Sequence, residues 1–243
     1  MSQLLHDHIE KDGFRLRGVE MSRIDGFSDV VFGFALTLLV VSLEVPKTYT
    51  EMHASLRGFF PFAICFLFLM MVWYAHYRFF RRFGTHDFRT IVINAMLLFV
   101  VLFYVYPLKF LFTFLANSVM GSGQEYFESW QQVRELMILY GVGFATVYLL
   151  VAALYWNGLK QREKLELTPI EVLLARSYVT DSVGVGCIGI LSCAVALLLP
   201  PQHCGMSGWV YSLIYPFKHF HGRWARKKIA KYPKSHKLAS SPH

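Results

Sequence analysis

Arg23-Ile24-Asp25-Gly26-Phe27-Ser28-Asp29 runs without a break into Val30-Val31-Phe32-Gly33-Phe34-Ala35-Leu36-Thr37-Leu38-Leu39-Val40-Val41. A charged, hydroxylated opening leads into an apolar stretch, about residues 24–45, closed by Pro46. About 20 apolar residues cross a hydrocarbon core of about 30 Å as a helix, so this stretch is long enough to span a bilayer. Asp29 falls one to two turns inside, where an ionised carboxylate is costly unless another group meets it. A helix that only anchors a chain has no use for such a group. Thr37 interrupts the middle of the run. The stretch therefore reads as a working helix, facing protein or water over part of its circumference.

The rest of the chain has the same character. Of 243 residues, 55% are hydrophobic and 16% charged, against about 25% charged in a soluble domain. The net charge of +8 lies between apolar segments and near the C-terminus, with no nucleic-acid-binding module to own it. Residues 1–22 hold Asp7, Glu10, Lys11, Asp12, Arg15, Arg17 and Glu20. They have neither the apolar core nor the small-residue cleavage site of a signal peptide, so the first span is expected to stay in the protein. Cys65, Cys187 and Cys193 sit in apolar segments and Cys204 in a loop, with no C-x-x-C pair. They read as small hydrophobes rather than as metal ligands or disulfides.

Further spans are expected at about 56–80, 91–115 (kinked or ended near Pro107), 136–156 and 172–199. Thr168-Pro169 ahead of Glu171 is a good start for the fifth. Met206 to Phe217 offers only about a dozen apolar residues, short for a span by length alone. Charge decides. With the N-terminus inside, Arg78, Arg81, Arg82, Arg89, Lys160, Arg162 and Lys164 are cytoplasmic. Lys218 and the basic residues from Arg223 to Lys237 join them only if that sixth segment crosses. The expected organisation is all-α: a cytoplasmic N-terminal segment, 1–22; a six-helix transmembrane domain, 23–222; and a basic cytoplasmic tail, 223–243, solvated and resting on anionic lipid.

Positions three, four and seven apart share a helix face. Phe34, Thr37, Leu38 and Val41 fall on one face, with Phe27 a heptad before Phe34, while Ser28 and Asp29 lie to the side. Arg23 and Asp29 are about 240° apart around the helix and cannot pair within it. Trp73 and His76 on the second span and Asn94 on the third lie at the same depth and are the candidate partners. Asp181 with Arg176 reads as a second, structural charge pair.

Those residues resemble a known family. Arg23-x-x-x-Phe27-Ser28-Asp29-x-Val31-Phe32, followed by Ala35-x-Thr37-Leu38-Leu39-Val40 and Pro46, is similar to the signature first helix of the transmembrane protein 175 family, potassium channels of endolysosomes with prokaryotic relatives. Trp73-x-x-His76 and Asn94 with Pro107 also fit its pattern. The match covers about residues 20–115.

The resemblance implies a channel lined by the first helices of all subunits. With one six-span unit per chain, it implies a homotetramer in a prokaryotic cell membrane. Transferred residue by residue, the hydrophobic constriction falls on Phe34, a hydroxyl layer on Thr37 and further apolar layers on Leu38 and Val41. Arg23, Phe27, Ser28, Asp29, Trp73, His76 and Asn94 become a polar cluster tying the pore helix to its neighbours. Phe34 departs from the family's Ile or Leu, and Gly33 from a common Ala, which lets helices approach closely. No cofactor or resident metal is implied, only permeant K⁺ passing near Thr37.

The carbonyl-lined filter of other potassium channels is absent, so selectivity would rest on dehydration at an apolar ring. The expected activity is a leak-like cation channel with modest preference for K⁺ over Na⁺. The alternative is a proton-coupled transporter or proton-conducting protein using Asp29, His76 and Asp181 as a relay. An enzyme is not expected, since no H-E-x-x-H, Walker loop or nucleophile elbow occurs.

Overall fold

Ser22 fixes where the first helix begins. Its hydroxyl accepts the Asp25 backbone N–H at 3.2 Å, while the Asp25 carboxylate accepts the Ser22 N–H and hydroxyl at 3.0 and 2.7 Å. This reciprocal cap satisfies donors that a helix start leaves open. Helix α1 then runs Arg23–Val41 and buries Ser28, Phe32, Ala35 and Leu39. The computed structural model describes residues 9–10, 12–41, 47–49, 52, 59–120 and 127–230. The closing turn around Pro46 and the tail from 231 lie outside the described residues.

Helix α2, Phe59–Phe83, takes Pro61 in its first turn, where a missing N–H costs nothing. It stops at Gly84, whose φ of +56° suits glycine. Space also demands glycine there, because an added Cβ would come within 2.9 Å of the Arg17 backbone. Asp87 opens α3, Phe88–Met120, by accepting from the backbone and hydroxyl of Thr90. The same carboxylate takes Gln161 at 2.9 Å and Asn157 at 3.3 Å, tying α3 to the end of α4, Trp130–Lys160. Helix α3 does not end at Pro107 but runs through it, and the Tyr140 hydroxyl of α4 donates to the Pro107 carbonyl.

Helix α5, Pro169–Leu198, starts with a full capping box between Thr168 and Glu171. It packs most extensively on α4, where Gly141 and Gly189 let the backbones close in. A Cβ on either would lie 3.0 Å from the other's carbonyl oxygen. Beyond Pro200 the expected loop around His203 is a 3₁₀-helix, Pro201–Leu213, continuing into α6, Ile214–Ala230. Cys204 is buried within that coil. The sixth unit is thus longer than Met206–Phe217 and differently wound. Residues 223–230, expected in a solvated tail, are its last turns.

Helix α1 lies on α2 and α3, while the 3₁₀-helix and α6 lie on α5. Among the described residues five helices, α1 to α5, are long and apolar enough to cross a membrane. The chain is an all-helical, multi-pass membrane protein.

The described part of the N-terminal segment packs against the helices. Phe14 is fully buried, edge-on to Phe83 at 5.5 Å with the Arg82 guanidinium 4.7 Å above its ring. Arg17 grips the buried Glu171 through two bonds of 3.0 Å, and the Arg15 N–H adds a third at 2.8 Å. Buried Arg82 pairs with Glu10 and Asp12. The N–H groups of Arg17 and Gly18 both reach the Arg81 carbonyl at 3.1 Å. Residues 9–10 and 12–21 form a strap across the ends of α2 and α5 that feeds directly into α1.

Candidate functional site

Because α1 packs one face against α2 and α3, the opposite face is left open. Phe27, Val30, Phe34 and Val41 stand on it at 62, 64, 63 and 72% exposure, with Gly33 and Thr37 exposed between them. Leu38 is half-buried at the flank. The strip differs from the exposed side of α3, where the large side chains of Met96, Phe99, Phe103, Tyr106 and Phe110 follow one another with the Tyr106 phenol oxygen as their one polar atom. A lipid-facing surface has that second composition. The α1 strip is narrower and carries an aliphatic hydroxyl at mid-helix, with the Asp29 carboxylate to its side near the helix start.

The Thr37 hydroxyl donates to the Gly33 carbonyl at 2.9 Å. Its proton is therefore spent inside the helix, and the oxygen presents only lone pairs outward. The exposed face of α1 thus ends in an oxygen ligand between apolar neighbours.

Beneath that face, the polar residues form two separate chains. The Trp73 indole N–H donates to Asp29 Oδ1 at 2.8 Å. The carboxylate's partner comes from another helix and is the indole, not the histidine or the amide. The second chain has its direction fixed from one end. Ser28 donates to the Ile24 carbonyl at 2.7 Å, so it must accept from Asn94 Nδ2 at 2.9 Å. Asn94 Oδ1 then faces His76 Nε2 at 2.8 Å and accepts its proton. Ser28, His76 and Asn94 are all buried. Three helices are joined at one depth by these bonds, and each donor has its acceptor.

The tautomer so fixed leaves His76 Nδ1 as a bare lone pair, buried and with no donor among the described residues. His76 also lines a pocket of about 140 Å³, together with Asp25, Asp29, Arg81 and the strap residues Gly18, Val19 and Met21. Arg23 is exposed, outside that pocket's lining and with no ion pair among the described residues.

Asp181 does not pair with Arg176. Its partners are Lys218 at 3.4 Å and His221 at 3.7 Å on α6, since the two helices run side by side while Arg176 points away, exposed. The strap contacts were missed altogether. Phe14, an apolar residue in a charged segment, was the one visible sign of them.

The family model described as "Endosomal/lysosomal potassium channel TMEM175" matches residues 23–104. A potassium channel of Marivirga tractuosa is 36% identical over 228 residues, covering 88% of this chain and 92% of the relative. The chain belongs to the TMEM175 family. A potassium channel of Chamaesiphon minutus is 32% identical over 106 residues, 40% of this chain and 52% of that one. Among solved structures, a crystal structure of a variant of the potassium channel MtTMEM175, in complex with a nanobody–MBP fusion protein, superposes with TM-score 0.80 at 34% identity, covering 90% of this chain and 99% of that one. A lysosomal potassium-selective channel TMEM175 homologue from Chamaesiphon minutus shares the fold at TM-score 0.55 and 21% identity, over 82% and 96% of the two chains. TMEM175 proteins are potassium channels, so this chain is placed with ion-conducting membrane proteins and not with enzymes. The part of the chain that the family model covers is the part that holds the α1 strip and its two hydrogen-bond chains.

Proposed function

We propose that this protein is a leak-like cation channel with modest preference for K⁺ over Na⁺. Four copies place their α1 helices around a central axis, with both chain ends in the cytoplasm of a prokaryotic cell. The observation that carries the reading is the open face of α1, apolar but for an outward-facing hydroxyl oxygen at Thr37. Phe34 forms the constriction, with Leu38 and Val41 as further apolar layers. An ion passing a dewetted ring sheds part of its hydration, which costs less for the larger K⁺ than for Na⁺. Four Thr37 oxygens return part of the lost coordination. The sixth unit completes the crossing: 13 residues of 3₁₀-helix rise roughly 26 Å, and four more α-helical residues bring it to roughly 32 Å.

The test is flux through purified protein in liposomes, comparing K⁺, Na⁺ and H⁺. Phe34→Ala raises K⁺ flux and lowers the K⁺/Na⁺ ratio; unchanged conductance removes Phe34 from the constriction. The bare Nδ1 of His76, a residue sharing a pocket with Asp25 and Asp29, favours one second reading, a proton conductor. That reading predicts H⁺ flux abolished by His76→Gln with K⁺ flux absent throughout.

A further inference from the structure

Helix α6 carries five Lys and Arg residues with no Asp or Glu between Ile214 and Ala230. One of its faces is fully used. The Phe217 ring sits where a Cβ on Gly184 would be, 2.0 Å away, and His221 meets Thr180 at 2.9 Å. These pairs set an antiparallel register, since later residues of α6 meet earlier residues of α5. Ile229, two turns on, packs against the core. The helix therefore stays alongside α5 to its end, and Arg223 to Lys228 lie level with the first turns of that span.

The other face carries no balancing acidic group among the described residues. Lys218 takes the Asp181 carboxylate at 3.4 Å. Among the described residues no acidic group lies within ion-pair distance of Arg223, Arg226, Lys227 or Lys228. Three aromatic rings, Tyr215, Phe220 and Trp224, are exposed on the same helix, and the Lys228 ammonium stands 3.8 Å over the Trp224 ring. A helix lying along a membrane span turns this face sideways into the bilayer plane, not outward along the bundle axis. Aromatic side chains with a polar edge settle at the boundary between headgroups and acyl chains. Basic side chains just beyond them meet the phosphates.

We infer that the outer face of α6 is a binding surface for anionic phospholipid headgroups, with Trp224 at the acyl boundary, Phe220 and Tyr215 deeper along the acyl chains, and Arg223, Arg226, Lys227 and Lys228 on the phosphates. The partner is lipid, not nucleic acid, because the rings and the charges share one flank that faces the hydrocarbon edge.

The experiment uses the full-length protein in detergent, offered phosphatidylglycerol and phosphatidylcholine in equal amounts and read by native mass spectrometry. Wild type retains the anionic lipid about tenfold over the zwitterionic one at roughly 0.15 M salt. The variant with Arg223→Gln, Arg226→Gln, Lys227→Gln and Lys228→Gln retains both alike, whereas Lys160→Gln with Arg162→Gln keeps the preference. Trp224→Phe gives an independent reading: quenching of tryptophan fluorescence by brominated phosphatidylglycerol exceeds that by brominated phosphatidylcholine in wild type, and the excess disappears in the variant. Preference surviving in the fourfold variant, no preference in wild type, or displacement of the lipid by short RNA would overturn the assignment. Because the readout is lipid retention and not ion flux, a failed conduction assay leaves it standing.

Discussion

Glu171 shows how much one side chain can be asked to do. It closes the capping box of α5 with Thr168 and accepts both Arg17 guanidinium nitrogens and the Arg15 N–H. Its role at the helix start was legible in the sequence, because Thr-Pro-x-Glu is a local signal. Its pairing with Arg17 was not, since nothing local links residues 154 apart. Breaking a buried ion pair on one side costs about 3–5 kcal/mol; with Arg17 still touching water, Glu171→Gln should cost roughly 2–3 kcal/mol. Arg17→Met combined with Glu171→Met should recover part of that. Thermal midpoints of the detergent-solubilised variants, taken as a double-mutant cycle, measure the coupling. Asp87 gives a second test at this scale. Partial burial pushes its carboxyl up, but donors on Thr90, Gln161 and Asn157 outweigh that and hold its pKa at about 2, below the ordinary 3.8. A depressed carboxylate contributes stability that is present above the ordinary pKa and is lost as pH falls through the lowered one. The midpoint should therefore decline between about pH 4 and pH 2, and Asp87→Asn should flatten that decline.

Among the elements, α1 was the most legible and the 3₁₀-helix the least. An apolar run with capping residues at its start fixes a helix almost regardless of surroundings. The open and buried faces of α1 followed from a period of 3.6 residues. No such period distinguishes thirteen residues wound as a 3₁₀-helix from the same residues in a loop. That winding is held by its packing on α5, including the Ser192 hydroxyl on the Ser207 carbonyl at 2.9 Å. The Asp181 pairing failed for a related reason: two charges on one helix suggested each other, and the deciding partners stood on an element read as too short. Close helix contact makes the sharpest prediction here. A Cβ on Gly141 would lie 2.3 Å from Cys193 Sγ and 3.0 Å from the Gly189 carbonyl. Gly141→Ala should destabilise by about 1–3 kcal/mol, and Cys193→Ala should relieve part of it, read again as thermal midpoints. Gly33→Ala meets nothing within 4 Å among the described residues, so a loss of thermal midpoint on this substitution would point to contact with a second copy in the proposed assembly.

At the scale of the whole molecule, the proposed assembly makes a prediction about which face of α1 meets a second copy. In a background lacking the native cysteines, Thr37→Cys should form disulfide-linked dimers on mild oxidation, seen on a non-reducing gel. Phe103→Cys, on the aromatic outer side of α3, should stay monomeric; the reverse pattern would turn the α1 face toward lipid. The strap has a consequence for how the chain comes into being. Phe14, Arg17 and Gly18 find Phe83 and Arg81 on α2, whereas the Arg17 guanidinium meets Glu171 only some 154 positions further along the chain. During synthesis, then, the strap is laid down in two stages, first on α2 and later across to α5. A nascent chain cut short ahead of residue 169 would carry α1 seated on α2 and α3, with Arg17 still lacking its carboxylate. Completion of the fifth helix is the moment at which the strap closes.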